Sequence, residues 1–574
     1  MREPLARAFR WFGWAVVGVA LVGALGCGPG TRQGGPCTSG DIHCDGLVLQ
    51  TCVNGTFTDS QTCPTACSEH IGCTLCVAGN TVCMGQTSHA CADDGMGYVD
   101  TLCDPVEGMS CDTTSGQCSG LCSPQSLGTS YIGCDYYATV TGNTTGTMFD
   151  FAVAIANTAT TPAMIEIDGG ALTSPVMATV APNSVSIQKL PWVTTLKLCD
   201  TPDTDGCLLG ENTFHYGALA TGGAYHIRSN TPITVYQFNS LEYTLNNSFS
   251  YSNDASLLFP STVWRKSHYA AAWQPLGGTN ASELAVTAAH AGTNVTITSK
   301  ADTMADQGAP AFTAGTPQTV MLNAGDVLEI ASITGDLTGS LITSDQPVTV
   351  VSGHFCADVP DGVAACDHLE ETMFPVDTLG THYMVNAPAV TSIPDGKVEV
   401  VRVIATGDNT SLSYDPPQAG APGTIAHAGD FIEIDNTAAS FLITSDQKVL
   451  VAQYMEGQDA GGGTGDPSMA LAVPVEQFRS SYLFHAPVTY DSNYVDVTAP
   501  TGAMVVLDGM PLAFTPIGSS GYGLARVAGL STGAAMDGNH SITGDMPFGI
   551  TVYGYGQYTS YWYPGGLNLA KIIQ

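Results

Sequence analysis

From Ser126 onward, apolar and polar residues alternate with a period of two in short runs. Phe149-Asp-Phe-Ala-Val-Ala-Ile-Ala156, Glu283-Leu-Ala-Val-Thr287 and Val398-Glu-Val-Val-Arg-Val403 are the clearest cases. Such alternation, rich in β-branched residues and punctuated by Gly, Pro, Asn and Asp, predicts half-buried strands joined by turns. No segment keeps a 3.6-residue period beyond two turns, so the predicted class is all-β.

The strand pattern repeats. Ile227-Arg-Ser-Asn-Thr-Pro-Ile-Thr-Val235 returns as Ile342-Thr-Ser-Asp-Gln-Pro-Val-Thr-Val350, as Ile443-Thr-Ser-Asp-Gln-Lys-Val-Leu-Val451 and as Ile542-Thr-Gly-Asp-Met-Pro-Phe-Gly-Ile550, at intervals of 115, 101 and 99 residues. Ala324-Gly-Asp-Val-Leu-Glu-Ile330 recurs as Ala428-Gly-Asp-Phe-Ile-Glu-Ile434. Pro260, Pro375 and Pro474 are each followed eight or nine residues later by Tyr269, Tyr383 and Tyr482. Units of about 100 residues with roughly seven strands have the size of a β-sandwich. Propeller blades are about half as long, which makes a propeller the alternative. The Ser-Asp-Gln-Pro element reads as a turn that starts a strand, because Asp bonds its own backbone and Pro cannot sit within a central ladder. His268 and His382, beside Tyr269 and Tyr383, read as repeated packing positions.

Cysteine divides the chain differently. Cys37, Cys44, Cys52, Cys63, Cys67 and Cys73 form one set, and Cys76, Cys83, Cys91, Cys103, Cys111 and Cys118 a second with nearly the same spacing. Modules of about 40 residues bury too little surface to fold alone, so disulfides must close them. Zinc at Cys73-Thr-Leu-Cys76 is the weaker reading, since no histidine has finger spacing. The pairing within residues 37–118 stays open. Two further pairs are close in sequence and remote from the rest, Cys199 with Cys207 and Cys356 with Cys366, which leaves Cys122 and Cys134 as a third local pair.

The first residues explain the disulfides. Arg2, Arg7 and Arg10 precede an apolar run from Trp11 to Gly26, which is the layout of a secretory signal. Cys27 follows Ala24-Leu25-Gly26 and is the predicted lipidated N-terminus of a bacterial-type lipoprotein. Gly28 in place of Asp points to the outer membrane. No later stretch offers about 18 apolar residues, so the expected membrane contact is the lipid anchor alone. The expected organisation is a signal peptide at 1–26, a cysteine-rich stalk at 27–125 and a β domain of about four repeats at 126–574.

Composition removes several functions. With 16 Lys+Arg against 51 Asp+Glu, the formal net charge is −35, so no nucleic acid is expected as a partner. The 44 % hydrophobic content excludes a disordered acidic tail. There is no G-x-S-x-G, H-E-x-x-H or P-loop lysine, and no enzyme is predicted. Asp200, Asp203 and Asp205, between Cys199 and Cys207, either hold calcium or form a solvated turn. No other cofactor or metal is assigned. His354-Phe-Cys356 and Cys366-Asp-His368 favour a bridge over zinc.

Connectors 239–259, 352–374 and 455–473 exceed the usual connection of about 4–6 residues. Long connectors on a rigid scaffold are commonly binding loops. Their carboxylates are the candidate ligand contacts: Asp254 in the first, Asp358, Asp361 and Asp367 in the second, Asp459 and Asp466 in the third. The alternative is that these are variable surface loops.

Several motifs carry a resemblance. Phe149–Ile155, Leu190-Pro-Trp192, the run Tyr225–Phe238, Ser252-Asn-Asp-Ala-Ser-Leu-Leu-Phe-Pro260, Tyr553-Gly-Tyr-Gly556 and Ser560-Tyr-Trp-Tyr-Pro-Gly-Gly566 resemble the N-terminal domain of the IgG Fc-binding protein family, over roughly residues 128–574. The resemblance implies an extracellular binding or adhesion module. It does not imply that this chain binds immunoglobulin. The expected function is a lipid-anchored surface protein that recognises an extracellular protein or glycan. The alternatives are a secreted polysaccharide hydrolase and a structural envelope protein.

Overall fold

The protein is described by a computed structural model covering residues 37–199, 214–390, 392–393, 397–460, 464–530 and 538–572. Among the described residues, helix is confined to two four-residue turns and three 3-10 turns, and everything else regular is strand. No helix of the described residues is long and apolar enough to cross a membrane. The chain forms two compact units. One takes in the described residues up to Thr81 with His89–Asp100, and the other Val82–Ser88 with Thr101 onward.

Both cysteine modules are fully bridged and share one connectivity, first to third, second to fifth and fourth to sixth. The bridges are Cys37–Cys52, Cys44–Cys67 and Cys63–Cys73, then Cys76–Cys91, Cys83–Cys111 and Cys103–Cys118.

Each of the four repeats is a pair of stacked antiparallel sheets. In the second, one eight-stranded sheet folds over on itself, with Pro317–Leu322, Thr293–Thr298 and Arg265–Tyr269 along one part and Gly217–Ala220, Val327–Ser332, Ser282–Ala288 and Asp367–Thr372 along the other. The long strand Leu341–Ala357 belongs to both, pairing with Thr293–Thr298 through its first half and with Ser282–Ala288 through its second. Tyr225–Phe238 and Asn539–Gly556 do the same in the first and fourth repeats. In the third repeat the strand is split into Ser440–Ser445 and Val449–Met455.

This corrects the reading of Ser-Asp-Gln-Pro as a strand start. It is the bend where one strand changes sheets, and every residue in it has a task. Asn230, Asp345, Asp446 and Asp545 each accept the backbone N–H of the neighbouring strand, from Met164, Asn294, Ser411 and Met504 at 2.9, 2.9, 2.8 and 2.8 Å. Ser229, Ser344 and Ser445 donate to the carbonyl two residues on. Pro232, Pro347 and Pro547 stand where the ladder is broken and no N–H is needed.

The Pro-to-Tyr landmark closes the same bend. The proline caps a 3-10 turn in each case, at Ser261–Val263, Val376–Thr378 and Val475–Gln477. The Tyr383 and Tyr482 hydroxyls then donate to the carbonyls of Val449 and Phe548, just past the bend. Tyr136 does so to Ile233 in the first repeat. In the second repeat the position belongs to His268, which pairs with Ile342 as Tyr383 pairs with Ile443. His268, not Tyr269, is therefore the equivalent of the tyrosines. Burial pushes its pKa down to about 3.

Adjacent repeats are tied by side chains as well as packing. Arg402 of the third repeat is buried between the rings of Trp273 and Phe431, 3.9 and 4.6 Å from their centroids. It donates to the Ala272 carbonyl and to Asp336 and Thr338 of the second repeat. The last repeat returns to the first, where the Tyr131 amide donates to Leu567 and Ser130 bridges Asn568.

Candidate functional site

After its long strand each repeat sends back a short one: Ala255–Leu257, Asp367–Thr372, Met469–Leu471 and Thr559–Pro564. Each lies beside its own long strand and contacts the corresponding strands of neighbouring repeats. A strand buried with one unpaired edge has N–H groups that need acceptors.

Asp254 supplies them. Ala255, Glu370, Met469 and Trp562 are equivalent positions, paired with Phe238, Gly353, Tyr454 and Tyr553 on the four long strands. All four amides donate to the Asp254 carboxylate, at 2.9, 3.1, 3.1 and 3.1 Å. The Ser468 hydroxyl is a fifth donor at 2.6 Å. Two residues earlier along these strands, the amides of Asn253, His368 and Ser560 converge on Asp367 at 2.7, 2.8 and 3.1 Å. The fourth position in that layer is Pro467, which has no N–H. Burial pushes the pKa of both carboxyls well above the usual aspartate range, and the hydrogen bonds oppose it.

The proposed ligand carboxylates therefore separate into two groups. Asp254, Asp367 and Asp466 are buried. They are acceptors for backbone edges, not surface contacts, because the connectors dive to the centre of the ring of repeats before turning back. Asp466 accepts from Gln458 and Ala365 at 2.9 and 3.4 Å, and burial pushes its pKa to about 7. Asp361 and Asp459 are exposed and Asp358 is half-buried. Burial and the nearby Asp361 push the Asp358 pKa to about 6.

The outer ends of the connectors meet one another. Gly457 donates to Val359 at 2.7 Å and Asp459 to Ala364 at 3.1 Å, joining the third tip to the second. The Tyr558 amide donates to the Gln458 side chain at 3.2 Å, and the Gln557 amide to the Tyr243 hydroxyl at 2.9 Å. Tyr251 lies 6.2 Å from Tyr558 and stacks on Phe249 at 5.4 Å. Asn246 and Asn247, both at positive φ, turn the first tip, and Tyr558 at φ 59° turns the fourth. A tyrosine in that region is strained. Phe249 and Tyr558 are 36 % and 38 % exposed.

A second acidic group lies deep between the first and second repeats. Glu283, Glu329, Glu370 and His368 are buried. Burial, and for Glu283 the neighbouring Glu329, push both of these carboxyls well up. Nothing in the strand pattern marks this group, because its members come from separate strands.

Cys356 is bridged to Cys366 across the base of the second connector, and Cys122 to Cys134. Cys199 is disulfide-bonded. Cys207, Asp200, Asp203 and Asp205, and Cys27, lie outside the described residues. Among the described residues no group of three His, Cys, Asp or Glu side chains is arranged to hold a metal ion.

Comparison with known proteins places this architecture. The family described as IgGFc binding protein matches residues 254–554, just over half of the chain, beginning at the central aspartate. The human IgGFc-binding protein is 29 % identical over 206 residues, which cover 36 % of this chain and 4 % of that protein.

Proposed function

The chain belongs to the IgG Fc-binding protein family, and on that footing we propose that it is an exported binding protein whose partner is an extracellular protein, held at the face made by the four connector tips. Lipidation of Cys27 would fix it to the outer membrane as a surface adhesion protein. The reading rests on one observation above the others. The tips of all four repeats are bonded to one another, with Phe249 and Tyr558 exposed there. Exposed aromatic anchors on a rigid support are what a protein interface uses. The bridged modules agree with an oxidising, exported setting.

No catalytic role is assigned. Asp254 and Asp367 are buried and their carboxylates are taken up by backbone amides. The test is capture on an array of extracellular proteins and glycans by the chain from residue 28, carrying no lipid. Protein capture that falls at least tenfold in Tyr558→Ala supports the reading. Capture of glycans alone, or capture indifferent to Tyr558, refutes it. Intact mass of the membrane-extracted protein tests the anchor, since an unmodified Cys27 would remove it.

A further inference from the structure

We propose that the tip face recognises a cationic, arginine-bearing segment of its protein partner; this rests on the binding reading above and names the chemistry of the partner.

The first observation is charge. Connectors 239–259, 352–374 and 455–473, with the hairpin 553–566, contain no lysine or arginine. The same stretches place Asp361 and Asp459 on the surface and Asp358 half-buried. Lys397 is the cation closest below the third tip. It is buried, and its ammonium donates to the carbonyls of Thr464 and Gly465 at 2.8 and 3.4 Å rather than to a carboxylate. Lys189 is held by Asp150 and Glu242. Among the described residues no lysine or arginine forms an ion pair with Asp358, Asp361 or Asp459.

The second observation is independent of the first. Asp466 is fully buried beneath the joined second and third tips. One of its oxygens takes the Gln458 and Ala365 amides, while Oδ2 has no hydrogen-bond partner. Burial raises its proton affinity most, Asp358 adds to this and the buried Lys397 opposes it. A buried carboxylate oxygen left without a donor costs stability unless something arrives to meet it.

The third observation fixes the kind of cation. Phe249 and Tyr251 are stacked with ring planes 19° apart, and Tyr558 meets Tyr251 edge-on at 75°. A guanidinium is planar, stacks on aromatic faces and donates through several N–H groups at once to carboxylates. An ammonium is a compact, strongly hydrated point charge that gains less from the rings. Rings and carboxylates carried on bonded tips suit the first better than the second.

The probe is a 15-residue peptide of five Gly-Ser-Arg triplets, with Gly-Ser-Lys and Gly-Ser-Glu versions as comparators. Its binding to the chain from residue 28 is measured at 50 and 500 mM NaCl, with EDTA and with calcium. The expected result is arginine over lysine by at least threefold, no binding of the glutamate peptide, and at least tenfold weakening at high salt. The triple variant Asp358→Asn, Asp361→Asn, Asp459→Asn should bind at least tenfold more weakly with an unchanged melting temperature. Asp45→Asn, Asp59→Asn, Asp93→Asn, which removes equal charge elsewhere, should bind as the parent does. Equal losses in the two triple variants would make the effect one of bulk charge and overturn the proposal. Absence of arginine-peptide binding, or loss of arginine preference, would overturn it as well. A calcium requirement would assign the carboxylates to a metal instead and also overturn it. The same proteins on the extracellular array separate the two readings. Capture that survives the tip triple variant ends this proposal and leaves the binding role standing; absence of capture by the parent ends the binding role.

Discussion

The Asp254 carboxylate accepts the backbone N–H of Trp562 at 3.1 Å, across 308 positions of chain. That bond joins the first repeat to the last. With the amides of Glu370 and Met469 on the same carboxylate, it makes one side chain the common acceptor for four strand edges. Without it, four buried amides and a hydroxyl lose their partner together.

Asp254→Asn is therefore expected to destabilise the β domain by at least about 3 kcal/mol, since an amide NH2 must face at least two of the five donors. Urea denaturation monitored by tryptophan fluorescence measures this. Asp361→Asn, exposed and outside the ring, should change stability by no more than about 0.5 kcal/mol.

The bends should respond in a graded way. Tyr383→Phe removes the donor to Val449 and the acceptor for the Gly380 amide, so a loss of about 1–2 kcal/mol is expected. Tyr269→Phe should be close to neutral, because the structural equivalent in that repeat is His268. Chemical denaturation of the two variants side by side checks the assignment of equivalence.

Stability should rise as the pH is lowered from 8. Asp466 and Asp496 titrate near pH 7 when folded, chiefly through burial, against about 3.8 unfolded. Between those values the folded state holds protons that the unfolded state releases, so stability falls as pH rises through that window. His268 and His354 act in the opposite sense. Burial takes both to about 3, so their contribution is present above pH 6.5 and is lost as pH falls below it. With the carboxyls more numerous, the melting temperature by calorimetry should be several degrees higher at pH 5.5 than at pH 8. A flat profile, or a rising one, would contradict the assignment.

Reduction should separate the two kinds of construction. The modules between Cys37 and Cys118 rely on six bridges and have little core of their own. Dithiothreitol should abolish hydrogen-exchange protection there while Ile155, Val286 and Val497, in the buried strands, stay protected.

Local chemistry was readable and distant chemistry was not. The intervals between Ile227, Ile342, Ile443 and Ile542 located the four repeats because identical bends demand the same few residues. The type of Asp345 points to a bond with its own backbone, whereas its carboxylate accepts the amide of Asn294 on the neighbouring strand, a partner 51 residues away. An acidic residue in a long connector normally faces water, which is why the sequence points to Asp254 and Asp367 as ligand contacts. What overrides that rule is a set of amides brought from Glu370, Met469, Trp562 and Ser560, and no local pattern encodes them. His268 hid its equivalence to Tyr383 behind the adjacent Tyr269, which has the commoner residue in the wrong register. The acid group of Glu283, Glu329 and Glu370 was invisible for the same reason as the centre, being assembled from three strands.

The seam between Tyr131 and Leu567 lies within the short loop that Cys122 and Cys134 close. Tension applied from the N-terminal side of Cys122 would cross the sulfur–sulfur bond straight to Cys134. From there it enters the strand Gly133–Ala138, which is paired along Tyr225–Ile233. The residues between the two cysteines are left slack. A pull from that side would thus bypass the joint between Tyr131 and Leu567.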